Sequence, residues 1–248
     1  MLDANKIKKD FPIFENYKKK TGKDLIFLDS AASSQTPRQV VEAMNEYYFG
    51  YRSNVHRSPY DLGEEATEAY ENARASLAKF IGANANEIIF TSGATTGVNM
   101  LVYMLERYLE LEKGDEILVS VAEHHSNIVP FQELARRSGA ALKIITLNGT
   151  DLDYSATERM MSAKTKIIAL PLASNVLGTI YNAGRIVKKA NEMGAVVIVD
   201  ASKAIGHMDI NVRDLGCDFL FASGHKMLGP TGTGILYGKE ELLERLYP

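Results

Sequence analysis

Two charged residues follow apolar runs closely: Asp200 ends Val196-Val197-Ile198-Val199, and Lys226 comes shortly after Phe219-Leu220-Phe221, behind Ser223-Gly224-His225. A buried charge is costly without a partner, and a partly desolvated lysine amine becomes nucleophilic near neutral pH. Upstream, Thr91-Ser92-Gly93-Ala94-Thr95-Thr96-Gly97 has the composition of a turn whose N–H groups and hydroxyls cradle a phosphate at a helix start. It lacks the Gly-Lys-Ser/Thr ending of a Walker loop. Each feature has a plain reading by itself: a capped helix start for the turn, a solvated strand end or cap for Asp200, a solvated loop residue for Lys226. Gly229, Gly232 and Gly234 likewise read as a tight turn before a strand. One chemistry uses them all. Pyridoxal phosphate needs a lysine for its Schiff base, a carboxylate opposite its pyridinium nitrogen, a phosphate cup and a flat group against the ring, and His124 can supply the last.

Such residues must be carried on a scaffold. Apolar runs at 87–90, 116–121, 142–147, 166–172, 195–200, 218–222 and 234–237 predict strands, several without polar alternation, as in a sheet covered on both faces. Helical periods at 97–111, 127–138, 154–163 and 182–193 lie between most of them, and 38–48 and 64–81 come before, around the polar stretch 51–61. This rhythm predicts an α/β fold of three layers around a mostly parallel mixed sheet. Ligands of such sheets bind beyond the carboxyl ends of the strands. The polar strand ends are Thr91–Gly97, Glu123-His124-His125, Ser174-Asn175, Asp200 and Ser223–Lys226, and a single pocket would collect them. Lys18-Lys19-Lys20 reads as a solvated turn.

The bulk composition narrows the function. The chain has 248 residues, 46% hydrophobic and 24% charged, an ordinary globular balance. A net charge of -3 argues against nucleic acid or an acidic membrane as partner. One cysteine, Cys217, rules out a disulfide framework. No apolar run of signal-peptide or membrane-spanning length is present, so the expected location is the cytoplasm. No His or Cys spacing supports a metal site.

The segments SGHKMLGPTGTGILYGK, AEHHSNIVPFQELA, SNVLGT, FLDSAAS and NVHR together resemble the class V aminotransferase family, and within it the cysteine desulfurases of the iron–sulfur assembly type, close to selenocysteine lyases. The resemblance runs from about residue 11 to 247. It implies the large domain of the fold type I pyridoxal phosphate enzymes over 26–248, after an N-terminal segment 1–25, with the smaller C-terminal domain not present in this chain. It implies Lys226 as the Schiff-base lysine, Asp200 as partner of the pyridine nitrogen, and His124 as the ring-stacking residue that assists proton transfers. It also implies Thr95, Ser223 and His225 as phosphate ligands, with Ala94 in the same turn, and Asn175 near the ring oxygen and substrate. His125 is expected to orient its loop, His56 to stand near the pocket mouth, and His207 to be structural. The family's Asp-x-x-Gln reads Asp200-Ala201-Ser202-Lys203 here, which puts an ammonium where a glutamine reaches the ring oxygen, unless Lys203 swings out to solvent. The phosphate turn and the 58–63 stretch also depart from the family pattern.

The implied activity is removal of sulfur from L-cysteine to give alanine, for iron–sulfur or other sulfur delivery, by a homodimer. The alternatives are another amino-acid aminotransferase or lyase, or a cofactor-binding subunit inactive alone. A separate C-terminal-domain chain or a sulfur-acceptor protein is the expected partner. Cys217, just before a buried strand, is not expected to act as a nucleophile.

Overall fold

The computed structural model describes residues 3–247; Met1, Leu2 and Pro248 lie outside it, and with them the outer ends of the expected 1–25 and 26–248 segments. The main sheet contains β1 (Ile88–Thr91), β2 (Glu116–Ser120), β3 (Ala141–Ile145), β6 (Thr165–Pro171), β7 (Val196–Asp200), β8 (Phe219–Ser223) and β9 (Gly234–Gly238). A small hairpin pairs β4 (Leu147–Asn148) with β5 (Asp151–Leu152). The seven strands lie in the order β1-β9-β8-β7-β6-β2-β3. Neighbours from β3 through β8 are parallel, and β9 runs against both of its neighbours. The fold is the expected α/β arrangement around a mostly parallel mixed sheet.

Burial explains the missing polar alternation. Val197 and Val199 pack with Leu118, Ile168, Leu170 and Leu220 in one core, under the helix Ala183–Glu192. Val196 and Ile198 pack with Ile117, Val119, Ile167 and Phe221 in the other, under the helices Ala94–Leu109 and His125–Ser138. Alternate residues of one strand thus enter opposite cores, so both sets must be apolar. Fully buried side chains such as Phe131 and Phe219 each contribute roughly 1.5–3 kcal/mol of transfer free energy.

Several boundaries differ from the sequence reading for local reasons. The helix expected from 97 begins at Ala94, directly after Gly93, whose φ of 152° suits glycine. The helix expected over 38–48 is α-helical over Arg38–Glu46 and then widens into a π turn, Tyr47–Tyr51. Lys18-Lys19-Lys20 is the last turn of a helix, Pro12–Thr21, and not a loop. Three cations there complement the negative end of the helix dipole, and Gly22, in the left-handed conformation, ends it.

Candidate active site

The carboxyl ends of the central strands open into one cavity of about 530 Å³. Its walls contain Ala94, Thr95, His124, Asn175, Asp200, Lys203, Ser223, His225 and Lys226, so every candidate residue from the sequence is brought to one place. The structure adds Asp29, Ala31, Ala32, Ser126 and Ser202. Asp29 to Ala32 come from a loop far away in the chain, and no periodicity or strand-end rule could have placed them.

Backbone packing sets the floor. At Gly234, the first residue of β9, a Cβ would stand 2.6 Å from the Cα of Gly93 and 2.8 Å from the carbonyl oxygen of Ala222. Only glycine lets β9 approach the turn so closely, and the approach brings Ser223 against the helix start, where the Ala94 N–H donates to Ser223 Oγ at 2.9 Å. Gly93 has no side chain with which to cap the helix, and Ser223 takes only the Ala94 N–H. The helix's other first-turn N–H groups and positive dipole end therefore meet the cavity beside Thr95.

The Lys226 loop is stitched to the N-terminal loop. Ser34 donates through its N–H and its hydroxyl to the carbonyl of His225, each at 2.9 Å. The Leu228 N–H donates to Ser34 Oγ at 2.9 Å, holding Leu228 at an unfavourable φ of 67°. His225 Nδ1 lies 3.1 Å from Ser33 Oγ. Residues 29–34 thus hold the segment that carries the lysine.

Asp200 ends β7 and is buried, with Oδ1 accepting from the Ser202 N–H at 2.7 Å. Burial raises its pKa above the ordinary aspartate value, against the pull of the Ser202 bonds and the nearby Lys226. Lys203 lines the cavity instead of swinging out; burial and then the adjacent Lys226 hold its amine below the usual lysine range. His225 lies below the ordinary histidine range, through burial and then Lys226.

His124 is fixed by its own helix start. The Ser126 N–H donates to Nδ1 at 3.2 Å, and Ser126 Oγ lies 2.8 Å from the same atom. A backbone N–H can only donate, so Nδ1 carries no proton and the neutral ring holds its proton on Nε2. Burial, then the neighbouring His125 and Lys226, keep this histidine below its ordinary pKa, favouring the neutral ring.

Other residues fall elsewhere. His56 is not among the residues lining this cavity; it lines a separate cleft of about 730 Å³ with Ser58 and pairs with Glu71 at 2.8 Å. Cys217 is fully buried, and burial pushes its thiol up to about 12, far from nucleophilic use. Among the described residues no cluster of three or more His, Cys, Asp or Glu could hold a metal ion, and no helix is long and apolar enough to cross a membrane.

A sequence model of the aminotransferase class V family matches residues 26–248. A curated relative from Halalkalibacterium halodurans, named a probable cysteine desulfurase, is 46% identical over 250 residues, covering 100% of this chain and 61% of its own length. A protein of the same name from Streptomyces coelicolor is 45% identical over 253 residues, covering 100% of this chain and 60% of its own length. Among solved structures, the apo cysteine desulfurase of Thermococcus onnurineus superposes with a TM-score of 0.92 at 38% identity, covering 100% of this chain and 60% of that one. A cysteine desulfurase of Escherichia coli gives 0.88 at 36% identity, covering 100% of this chain and 61% of that one. The chain therefore spans about three-fifths of the length of the relatives it matches.

Proposed function

Because the chain belongs to the class V aminotransferase family, we propose that its cavity holds pyridoxal phosphate and serves the removal of sulfur from L-cysteine. The observation that carries this reading is the meeting of a lysine amine, a buried carboxylate and a helix N-terminus in one cavity. The donor set fits the cofactor group by group. The helix N-terminus at Thr95, with the Ser223 hydroxyl and His225, suits a phosphate dianion. Asp200 suits a cationic ring nitrogen, and Lys226 supplies an amine for an aldehyde. When bound, the cofactor supplies an electron sink for charge developing on the substrate's Cα.

The chain's own residues divide the remaining work. Lys226 would hold the cofactor through its amine, and its Nζ would take the proton from the substrate's Cα. His124 presents Nε2–H while Ser126 occupies Nδ1, which makes it a hydrogen-bond donor toward the cavity and leaves the base to Lys226. Asp200, ionised, would hold the ring nitrogen, and Lys203 and Asn175 would serve the ring oxygen and substrate. In the overall reaction the C–S bond of cysteine breaks, an acceptor thiol takes the sulfur as a persulfide, and the carbon product is alanine. Cys217 has no part in it.

The names of the relatives support desulfuration over other reactions of the family. The reading extends to a cytoplasmic homodimer delivering sulfur to iron–sulfur assembly or another acceptor; the exposed Leu28, Phe49 and Val176 side chains support the packing of further protein surface on this chain. The test is to record the visible spectrum of protein purified with pyridoxal phosphate, add L-cysteine, and measure alanine and sulfide with and without the remaining part of a relative's chain supplied in trans. A yellow protein whose spectrum changes on L-cysteine, with alanine formed in at least one arm, is expected. A colourless protein in both arms would refute the cofactor, and a spectrum indifferent to L-cysteine would refute the substrate.

A further inference from the structure

Behind Asp200 lies a second carboxyl that the reaction above does not use. Glu123 sits in the turn between β2 and the helix His125–Ser138, next to His124, and is 6% exposed. Both of its carboxyl oxygens are buried without a hydrogen-bond partner. Asn127, fully buried in the first turn of that helix, faces it, and both atoms of its amide are likewise without partners. From the sheet, the charged group facing Glu123 is Asp200. The nearby cation, Lys226, acts on Asp200.

The inventory of donors and acceptors fixes the state of the pair. An ionised Glu123 could only accept, so the acceptor oxygen of Asn127 would remain unmatched in a dry site. A protonated carboxyl is a donor and an acceptor, the complement of an amide, and a small closure of the two side chains would satisfy all four buried atoms reciprocally. Two carboxylates in this setting cannot both ionise cheaply. The proton goes to the one without a nearby cation, which is Glu123.

We propose that Glu123 is a positioning residue that, as an uncharged acid paired with Asn127, supports the His124 turn and leaves Asp200 as the only anion of this buried carboxyl pair. Burial, and then the charge of Asp200, push the Glu123 carboxyl far above its ordinary pKa, in agreement. The consequence for ligand binding rests on the functional reading above: a single negative charge faces the ring nitrogen, and the acid behind it keeps that charge from being shared.

The test uses the full chain labelled with carboxyl-13C glutamate, followed by NMR from about pH 5 to about pH 8. One glutamate resonance should remain at the protonated position through neutral pH and be missing from Glu123→Gln. In Asp200→Asn the same resonance should ionise at lower pH, because the neighbouring charge is gone. Complete ionisation of every glutamate at neutral pH in the wild type would overturn the proposal, and needs no variant to fold. An unchanged midpoint in Asp200→Asn would sever the link to Asp200 and overturn it equally. If the wild type failed to bind pyridoxal phosphate while the protonated resonance stood, the functional reading would fall and the proposal would stand.

Discussion

The two ends of the sheet treat buried carboxylates in opposite ways. At the amino ends of the strands, each acid is neutralised by the chain itself. Glu116, starting β2, pairs with Lys143 at 2.6 Å and accepts from Ser162 and Thr165 at 2.8 and 3.1 Å. Asp218, just before β8, pairs with Lys239 at 2.6 Å and accepts from the Val197 N–H at 2.8 Å. At the carboxyl ends, Asp200 receives the N–H of Ser202 and Glu123 has no partner. One end uses its charges for structure, and the other keeps bonding capacity for something that enters. Depth of burial does not separate them, since Asp218 is 8% exposed and Asp200 9%. The difference is the presence of a cation at bonding distance.

This contrast can be broken by substitution. The largest effect is expected for Lys226→Ala, which should abolish covalent retention of pyridoxal phosphate while leaving the unfolding midpoint near that of the wild type. Asp200→Ala should weaken cofactor affinity by about 10- to 150-fold, the worth of a charge-assisted hydrogen bond of roughly 1.5–3 kcal/mol, as measured by spectral titration. Asp218→Ala should do the reverse, lowering stability in urea by about 1–3 kcal/mol with cofactor affinity unchanged. A loss of affinity in Asp218→Ala comparable to that in Asp200→Ala would erase the distinction between the ends.

The pH dependence of stability sharpens it further. Although burial opposes it, Lys143, Ser162 and Thr165 hold the Glu116 carboxyl below 4.5. Its stabilisation is therefore present above that value and lost as pH falls through its folded pKa. Glu123 is raised above 4.5, so its contribution is full below that value and lost as pH rises toward its folded pKa. Glu116→Gln should thus flatten the acid side of the stability curve, and Glu123→Gln the neutral side, both read by urea unfolding across pH. The smallest effect is expected for Lys203→Gln, which should raise the midpoint of the bound cofactor's spectral titration by less than about one pH unit. Coincident curves would show that Lys203 does not act on the ring oxygen.

How much of this was legible in the sequence follows from range. Runs such as Val196–Asp200 and Phe219–Ser223 gave their strands nearly to the residue, because burial on both faces leaves an uninterrupted apolar signal. The strand-end rule then assembled Thr95, His124, Asn175, Asp200 and Lys226 without coordinates. Boundaries slipped where the cause was remote: the helix starts at Ala94 because Ser223, on another strand, takes its first N–H. Asp29 and Ser34 join the site through contacts across most of the chain, and although FLDSAAS marked a family segment, no strand-end rule ties it to the cavity. Glu123 was visible as part of a polar strand end, but its burial without a bonded partner is a property of packing that no spacing records.

The central claim is that the carboxyl end of the sheet presents one reactive amine, on Lys226, although Lys203 stands beside it in the same cavity. The direct measurement is borohydride reduction of protein loaded with pyridoxal phosphate, followed by peptide mapping of the fixed cofactor. The account predicts the label on the peptide containing Lys226 and none on that containing Lys203. A label on Lys203, or one divided between the two lysines, would contradict it.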